Sequence, residues 1–484
     1  MGLDQAGDTR LIKVGRGLLS GCGDLLREAL FADEDQPAKA DERPSAAPSA
    51  SARPAPAAAA CPASARQASV RQSPSHQRRR CLVVADERTW QAAGAAVYRS
   101  LRRAGVELAQ PLVFPGQPTL YAAYEQAVAV RERLRREGAL GVAVGSGTLN
   151  DLTKLASGEL GQPYAVVATA ASMDGYAGFG APMTVDGVKT TLPCPAPRAV
   201  VFDLDVAAGA PSAMAASGYG DLSAKIPGGA DWLLADAAGV EPLHPLAWRL
   251  VQSGVRDALA NPSALAAGDA DAFSGLASGL LASGLAMQAY QGTRPASGAE
   301  HYFSHLWELD HLGQDAEPLS HGFKVAIGTL AMCAFYEAFL ARDLARLDID
   351  DAVARWPSWP EVEADIRARL DGPLADKAVR ETREKYVDAD GLRARLRRLA
   401  QAWPELSGRL RDQLVPARQL QRSLAQAGAP AHPEDIGLTT DDVKATFPKA
   451  MYFRSRYTVL DVAREAGWFD ELVDEVFAPG GLWT

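Results

Sequence analysis

The chain has 484 residues, 47% apolar and 23% charged, which exceeds the size at which a single hydrophobic core stops growing and points to two domains of ordinary globular composition. Fifty Lys+Arg against 59 Asp+Glu leave a formal charge of −9, too mild and of the wrong sign to hold a polyanion, so nucleic acid is excluded as a partner. Five cysteines without a CxxC pair exclude a disulfide framework and fit reduced thiols in a cytoplasmic protein.

The opening residues lack the basic start and apolar run of an export signal, and Ala6 stands where a myristoylation signal wants Ser or Thr. From Leu11 to about Asp205 short β-branched runs alternate with amphipathic stretches, the rhythm of an α/β domain with a mainly parallel sheet. Strands are expected at Leu11–Val14, Cys81–Ala85, Pro111–Phe114, Gly141–Gly145, Ala165–Thr169 and Ala199–Phe202, with helices such as Glu87–Ala104 and Tyr121–Gly138 between them. Residues 36–80 are mostly Ala, Pro, Ser and Arg and read as a disordered insertion, with Arg78, Arg79 and Arg80 as solvated charges guarding the strand that follows.

Beyond about Pro211 the strand signals stop. Helices are expected at Pro245–Ala260, Phe273–Gln291, Glu300–Leu309, Gly322–Leu340 and Trp359–Leu370, then as a pair over Asp376–Ala425 and at Thr440–Ala466. The longest apolar run, Val325 to Tyr336, is shorter than the roughly 20 residues of a membrane span and reads as a buried helix. The organisation is an α/β domain over residues 1–210 followed by an all-helical domain over 211–484.

Three motifs carry chemistry. In GVAVGSGTLNDLTK a strand meets a glycine-rich turn and a helix, so the backbone from Gly145 through Ser146, Gly147 and Thr148 to Leu149, with Asp151 nearby, can cradle a dinucleotide pyrophosphate on unpaired amides. In TAASMDGYAGFGAP, Thr169, Ser172 and Asp174 follow the next strand, at the edge where open α/β sheets put ligands. Asp86, just after the second strand, suits a ribose hydroxyl and would favour NAD over NADP; a helix cap is the alternative for the same residue. In the helical half SGYGDLSAK supplies Asp221, SGAEHYFSHLWELDH supplies His301 and His305 at helical spacing i, i+4, and LSHGFKV supplies His321. Two imidazoles and a carboxylate are a common ligand set for a catalytic divalent metal. His311 lies off the His301 face and is read as a surface residue.

In family order, these segments together with VKTTLPCPAPRAVVFDLDV and the Asp231-Trp232 pair resemble the sn-glycerol-1-phosphate dehydrogenases. That family stands beside iron-dependent alcohol dehydrogenases, glycerol dehydrogenase and dehydroquinate synthase. The resemblance implies a Rossmann-like domain, a helical domain and an active site between them. It implies that Gly145–Leu149, Thr169 and Ser172 hold NAD or NADP, that Asp221, His301 and His321 bind zinc or nickel, and that Asp174, Asp221 and His305 meet substrate, Asp174 and His305 as catalytic residues. The implied reaction is reversible reduction of dihydroxyacetone phosphate, a phosphorylated triose, to sn-glycerol 1-phosphate. A homo-oligomer is expected. Glycerol or polyol oxidation and a dehydroquinate-synthase-like lyase are the rival activities, and a cofactor-binding module without catalysis is disfavoured by the intact ligand positions. The chain departs from the family at Gly178, where many members carry a cofactor-contacting serine, and in its long insertion. Lys189, Lys225 and Lys324 adjoin the motifs as cations for the substrate phosphate.

Overall fold

The computed structural model describes residues 7–31, 80–185, 188–309 and 319–483. Most of the expected insertion, Cys61 and His311 therefore lie outside the described residues; Arg80 is described and opens a strand, paired with Glu107 and Glu137.

The first half is built on seven strands: β1 (Leu11–Gly15), β2 (Arg80–Asp86), β3 (Glu107–Leu108), β4 (Leu112–Phe114), β5 (Leu140–Gly145), β6 (Tyr164–Ala168) and, after two strands outside this sheet, β9 (Ala199–Asp203). They run β1-β9-β6-β5-β2, with β3 and β4 sharing the far edge of β2, and every pairing is parallel. Such a sheet must be apolar on both faces, and β6 and β9 are buried at every position. One face packs on helix Cys22–Phe31 and on Val97 and Leu101. The other packs on Val130, Leu134, Leu152 and Leu155. The two remaining strands, β7 (Ala181–Val185) and β8 (Val188–Leu192), form an antiparallel hairpin absent from the sequence reading.

The chain leaves β2 toward β3 and β4 and returns to β5 on the opposite side, so the topology reverses between β2 and β5. A crevice at the carboxyl ends of the strands forms at such a reversal. Gly145 and Asp86 both end strands that flank it.

From Ser212 onward the described residues are helical, and three expectations need correction. Pro245–Ala260 divides into Pro245–Gln252 and Val255–Ala258 at Gly254. The expected pair over Asp376–Ala425 is three helices, Gly372–Lys385, Ala389–Gln413 and Ala417–Gln426, because Asp388 caps the second and Pro416 precedes the third. Thr440–Ala466 breaks into Thr440–Ala450 and Val459–Glu465, the latter opened by a capping box between Thr458 and Asp461. Helices Ala270–Tyr290 and His321–Leu340 are long and apolar enough to cross a membrane by composition, yet most of each is buried inside the fold. They serve as core helices. Cys22, Cys81, Cys194 and Cys333 are buried and unpaired.

Candidate metal centre and dinucleotide cradle

The candidate dinucleotide cradle is the junction of β5 with helix Gly147–Glu159. Ser146 occupies the N-cap position and its side chain does not bond the first-turn amides. A Cβ on Gly145 would stand 2.3 Å from Leu149 Cδ1, so the turn closes only with glycine there. Open amides at a helix start behind a glycine turn fit a pyrophosphate. Asp151, grouped with the cradle on sequence, makes its contacts with Asn150 and Lys154. Lys154 donates onward to the Gly175 and Gly180 carbonyls at 2.9 and 3.1 Å, fastening the second motif to this helix. Thr169 is buried with its amide on the Gly145 carbonyl at 3.1 Å. The Ser172 carbonyl accepts from Ser217. Asp86 caps the following helix, accepting from the Thr89 amide at 2.7 Å. At Gly178 the space a side chain would enter is filled by the Met287 methyl, 2.8 Å from a built Cβ.

Across from the cradle, Asp221 on helix Ser212–Ser223, His301 on Glu300–Leu309 and His321 at the start of His321–Leu340 converge, with one ligand atom from each within 4.8 Å of the others. His305 joins them, its ring centroid 6.1 Å from His301 and 5.6 Å from His321. Asp221 is 1% and His301 7% exposed, so neither is a solvated surface group.

Carboxylates behind these rings set their tautomers. Glu300 Oε1 lies 2.9 Å from His301 Nδ1, and His301 Nε2 is 3.6 Å from Asp221 Oδ1. Glu308 serves two rings, with Oε1 3.0 Å from His321 Nδ1 and Oε2 3.3 Å from His305 Nδ1. Burial opposes ionisation of Glu308, yet the hydrogen bonds from His305 and His321 hold its carboxyl well below the usual range. An ionised acceptor keeps the proton on each Nδ1 and leaves Nε2 as the lone pair. Burial also pushes His305 down to about 3 against the pull of Glu308, so its ring is neutral.

Asp174 reaches in from the α/β half. Its amide donates to Asp221 Oδ2 at 3.0 Å, and its own Oδ2 accepts from Ser283 at 2.7 Å and from Lys225 at 2.8 Å. Lys225 also meets Asp221 Oδ1 at 2.9 Å. Burial works against the charge on Lys225, but Asp174 and Asp221 hold it protonated. Burial likewise opposes the Asp221 charge, and Lys225 leads the groups that keep its carboxyl far below the normal range. Lys225 is therefore a buried counter-ion, removed from the cations considered for phosphate. Lys324 is also buried, donating to the Leu319 carbonyl at 3.2 Å. The Lys189 side chain lies outside the described residues.

Glu300, Glu308 and Ser283 were missed on sequence. Glu308 had a signal: it falls three residues after His305 and seven after His301, on one helical stripe. Glu300 and Ser283 gave none. The donor set fits a divalent cation, because two lone-pair imidazole nitrogens with carboxylates behind them and one buried carboxylate are what such an ion requires.

The sequence profile of the family described as iron-containing alcohol dehydrogenase matches residues 66–211. The glycerol-1-phosphate dehydrogenase [NAD(P)+] of Geobacillus thermodenitrificans is 36% identical over 54% of this chain and 65% of its own length, just short of two thirds of that relative. The protein of the same name from Geobacillus stearothermophilus is 31% identical over 62% of this chain and 76% of its own. In fold, the chain is similar to a probable glycerol dehydrogenase from Sinorhizobium meliloti, with a TM-score of 0.55, 16% identity and 96% of each chain covered. With its parallel sheet, helical second half and convergent Asp-His-His set, the chain belongs to the glycerol-1-phosphate dehydrogenase family.

Proposed function

We propose that this chain catalyses the reversible reduction of dihydroxyacetone phosphate to sn-glycerol 1-phosphate with NAD or NADP. The observation that carries the reading is the Asp221, His301 and His321 cluster tied through Asp174 to the loop that follows β6, beside the cradle. The names of the relatives at 36% and 31% identity support the substrate. Residues 1–210 act as the dinucleotide-binding domain and 211–484 as the metal- and substrate-binding domain. The protein works in the cytoplasm as a homo-oligomer.

The amides from Gly145 through Ser146, Gly147 and Thr148 to Leu149 hold the pyrophosphate, with Thr169 and Ser172 beside it. Asp151 supports them through Lys154. Asp86 keeps one carboxylate oxygen on the Thr89 amide and uses the other for a ribose hydroxyl, which favours NAD. Asp221, His301 and His321 hold zinc or nickel. When bound, the metal supplies Lewis acidity at the substrate oxygen and the dinucleotide supplies the hydride.

The remaining work falls to the chain's own side chains. In the oxidative direction the neutral His305 takes the hydroxyl proton at Nε2 while Glu308 steadies its Nδ1–H, and reduction runs that transfer backward. Asp174, pinned by Ser283 and Lys225, presents its second carboxylate oxygen to a substrate hydroxyl.

The test is a stereospecific assay with dihydroxyacetone phosphate, glycerol 1-phosphate, glycerol 3-phosphate and free glycerol, each with NAD(H) and NADP(H), before and after chelation. Activity confined to sn-glycerol 1-phosphate and dihydroxyacetone phosphate, lost on chelation and restored by metal, is expected. Turnover of free glycerol alone would reject the reading.

A further inference from the structure

A phosphorylated substrate needs cations near His305, and the structure holds two that no motif marked. Phe453, 1% exposed, stacks on the His305 ring with centroids 6.0 Å apart and planes at 20°. Lys377 Nζ lies 4.9 Å and Arg454 Cζ 5.6 Å from the centre of that same Phe453 ring. The two cations are thus gathered around one aromatic side chain whose neighbour is the proposed proton-transfer residue.

Among the described residues the side chains of Lys377 and Arg454 have no ion pair or hydrogen bond, unlike three buried or partly buried cations near them. Arg395 pairs with Glu465, Arg294 with Glu241, and Lys385 with Asp461. Arg456, two residues on, is fully engaged by Ser297 and Thr293 at 2.6–2.8 Å. The carboxylate whose charge both free cations feel, Glu381, accepts from the Ser455 amide at 2.8 Å. Arg456 and Glu381 therefore fix the two residues that follow Arg454, whose own guanidinium meets the Phe453 ring and makes no ion pair.

Two neighbouring cations that share one carboxylate, Glu381, already bonded to the Ser455 amide, are costly. Burial, followed by the charge of Arg454, pushes Lys377 down to about 8, with Arg380 acting in the same direction and Glu381 against it. Burial and Arg456 likewise lower Arg454. The charge of Arg454 reaches His305 as well. A dianion bound between them would offset the repulsion between these charges.

We propose that Arg454 and Lys377 form the binding site for the phosphate monoester of the substrate, with Phe453 as the wall between that phosphate and His305. The proposal rests on the functional reading above for the identity of the substrate. Arg454 supplies a planar fork of donors and Lys377 a point charge, the pairing that phosphate recognition commonly uses.

The experiment uses the full-length, metal-loaded protein with Arg454→Gln, Lys377→Gln and Arg454→Lys. It measures KM for dihydroxyacetone phosphate, KM for the dinucleotide, and inhibition by inorganic phosphate of the reduction of both dihydroxyacetone phosphate and unphosphorylated dihydroxyacetone. Each Gln variant is expected to raise the KM for the phosphorylated substrate and the Ki for phosphate on the order of 10- to 100-fold, leaving the dinucleotide KM in place. Arg454→Lys is expected to recover part of the loss. Unchanged phosphate inhibition in both Gln variants would overturn the proposal. If the native protein shows no preference for the phosphorylated triose, the functional reading fails, and phosphate inhibition of the unphosphorylated reaction still decides the site. Should Arg454→Gln fail to fold, Lys377→Gln carries the same test.

Discussion

Glu308 accepts from two imidazoles at once, His305 at 3.3 Å and His321 at 3.0 Å, and its side chain is only 7% exposed. One oxygen orients a proposed metal ligand and the other the proposed proton-transfer residue, so one carboxylate couples metal affinity to proton transfer. Partners of this kind are commonly worth about 10- to 100-fold in metal affinity. Glu308→Ala should therefore lose metal during dialysis against a weak chelator by a factor in that range, and turnover should fall further than metal content because His305 is released too. Glu308→Gln retains a single acceptor oxygen and should fall between. Full metal retention and unchanged turnover in Glu308→Ala would show that the rings are set by something else. The neutral Ser304 hydroxyl, 3.4 Å from His321 Nδ1, offers a longer and weaker hydrogen bond than the carboxylate does.

Two helices bring the proposed metal ligands Asp221 and His321 together by backbone contact. A Cβ on Gly322 would stand 1.9 Å from the Ser217 carbonyl oxygen, and one on Gly220 would stand 2.4 Å from the Gly322 carbonyl oxygen. Helices Ser212–Ser223 and His321–Leu340 therefore meet where neither has a side chain, and Asp221 and His321 each sit next to a contact glycine. Gly322→Ala should force the helices apart, destabilising the fold by about 1–3 kcal/mol and weakening metal retention in the same protein. A lowered thermal midpoint with normal metal content would separate packing from ligand placement and reject the link. At this scale the sequence was legible where one physical signal dominated. The strands of the central sheet read as apolar runs because both faces are covered, and His301 with His305 read from helical spacing. The β7–β8 hairpin was missed although Asp186-Gly187 is a two-residue hairpin signature. The break between Thr440–Ala450 and Val459–Glu465 was signalled only by the Thr458 and Asp461 spacing, and Phe453 and Arg454 lie in the segment it opens between the two helices. Contacts such as Ser283 with Asp174, 109 residues apart, leave no local trace in a sequence.

The two halves of the molecule are joined at the site itself. Gly218 lies so close to the loop after β6 that a Cβ would stand 2.0 Å from the Ala171 carbonyl oxygen, and Gln288 donates to Thr9 at 2.7 Å across 279 residues of sequence. At the centre of this seam Lys225, its side chain fully buried, neutralises Asp174 from one half and Asp221 from the other. Breaking a buried pair from one side strands the opposite charges, at a cost of about 3–5 kcal/mol. Lys225→Met keeps most of the volume but leaves two carboxylates facing each other, so its metal-free thermal midpoint should drop by several degrees. A divalent cation at Asp221 supplies positive charge at the same place, and a ligand that binds only the folded state stabilises it. Adding zinc or nickel should therefore raise the midpoint of Lys225→Met more than that of the native protein, drawing the two curves together. Equal metal-induced shifts in both proteins would mean that the lysine and the cation act independently, and that the seam is held by packing rather than by charge.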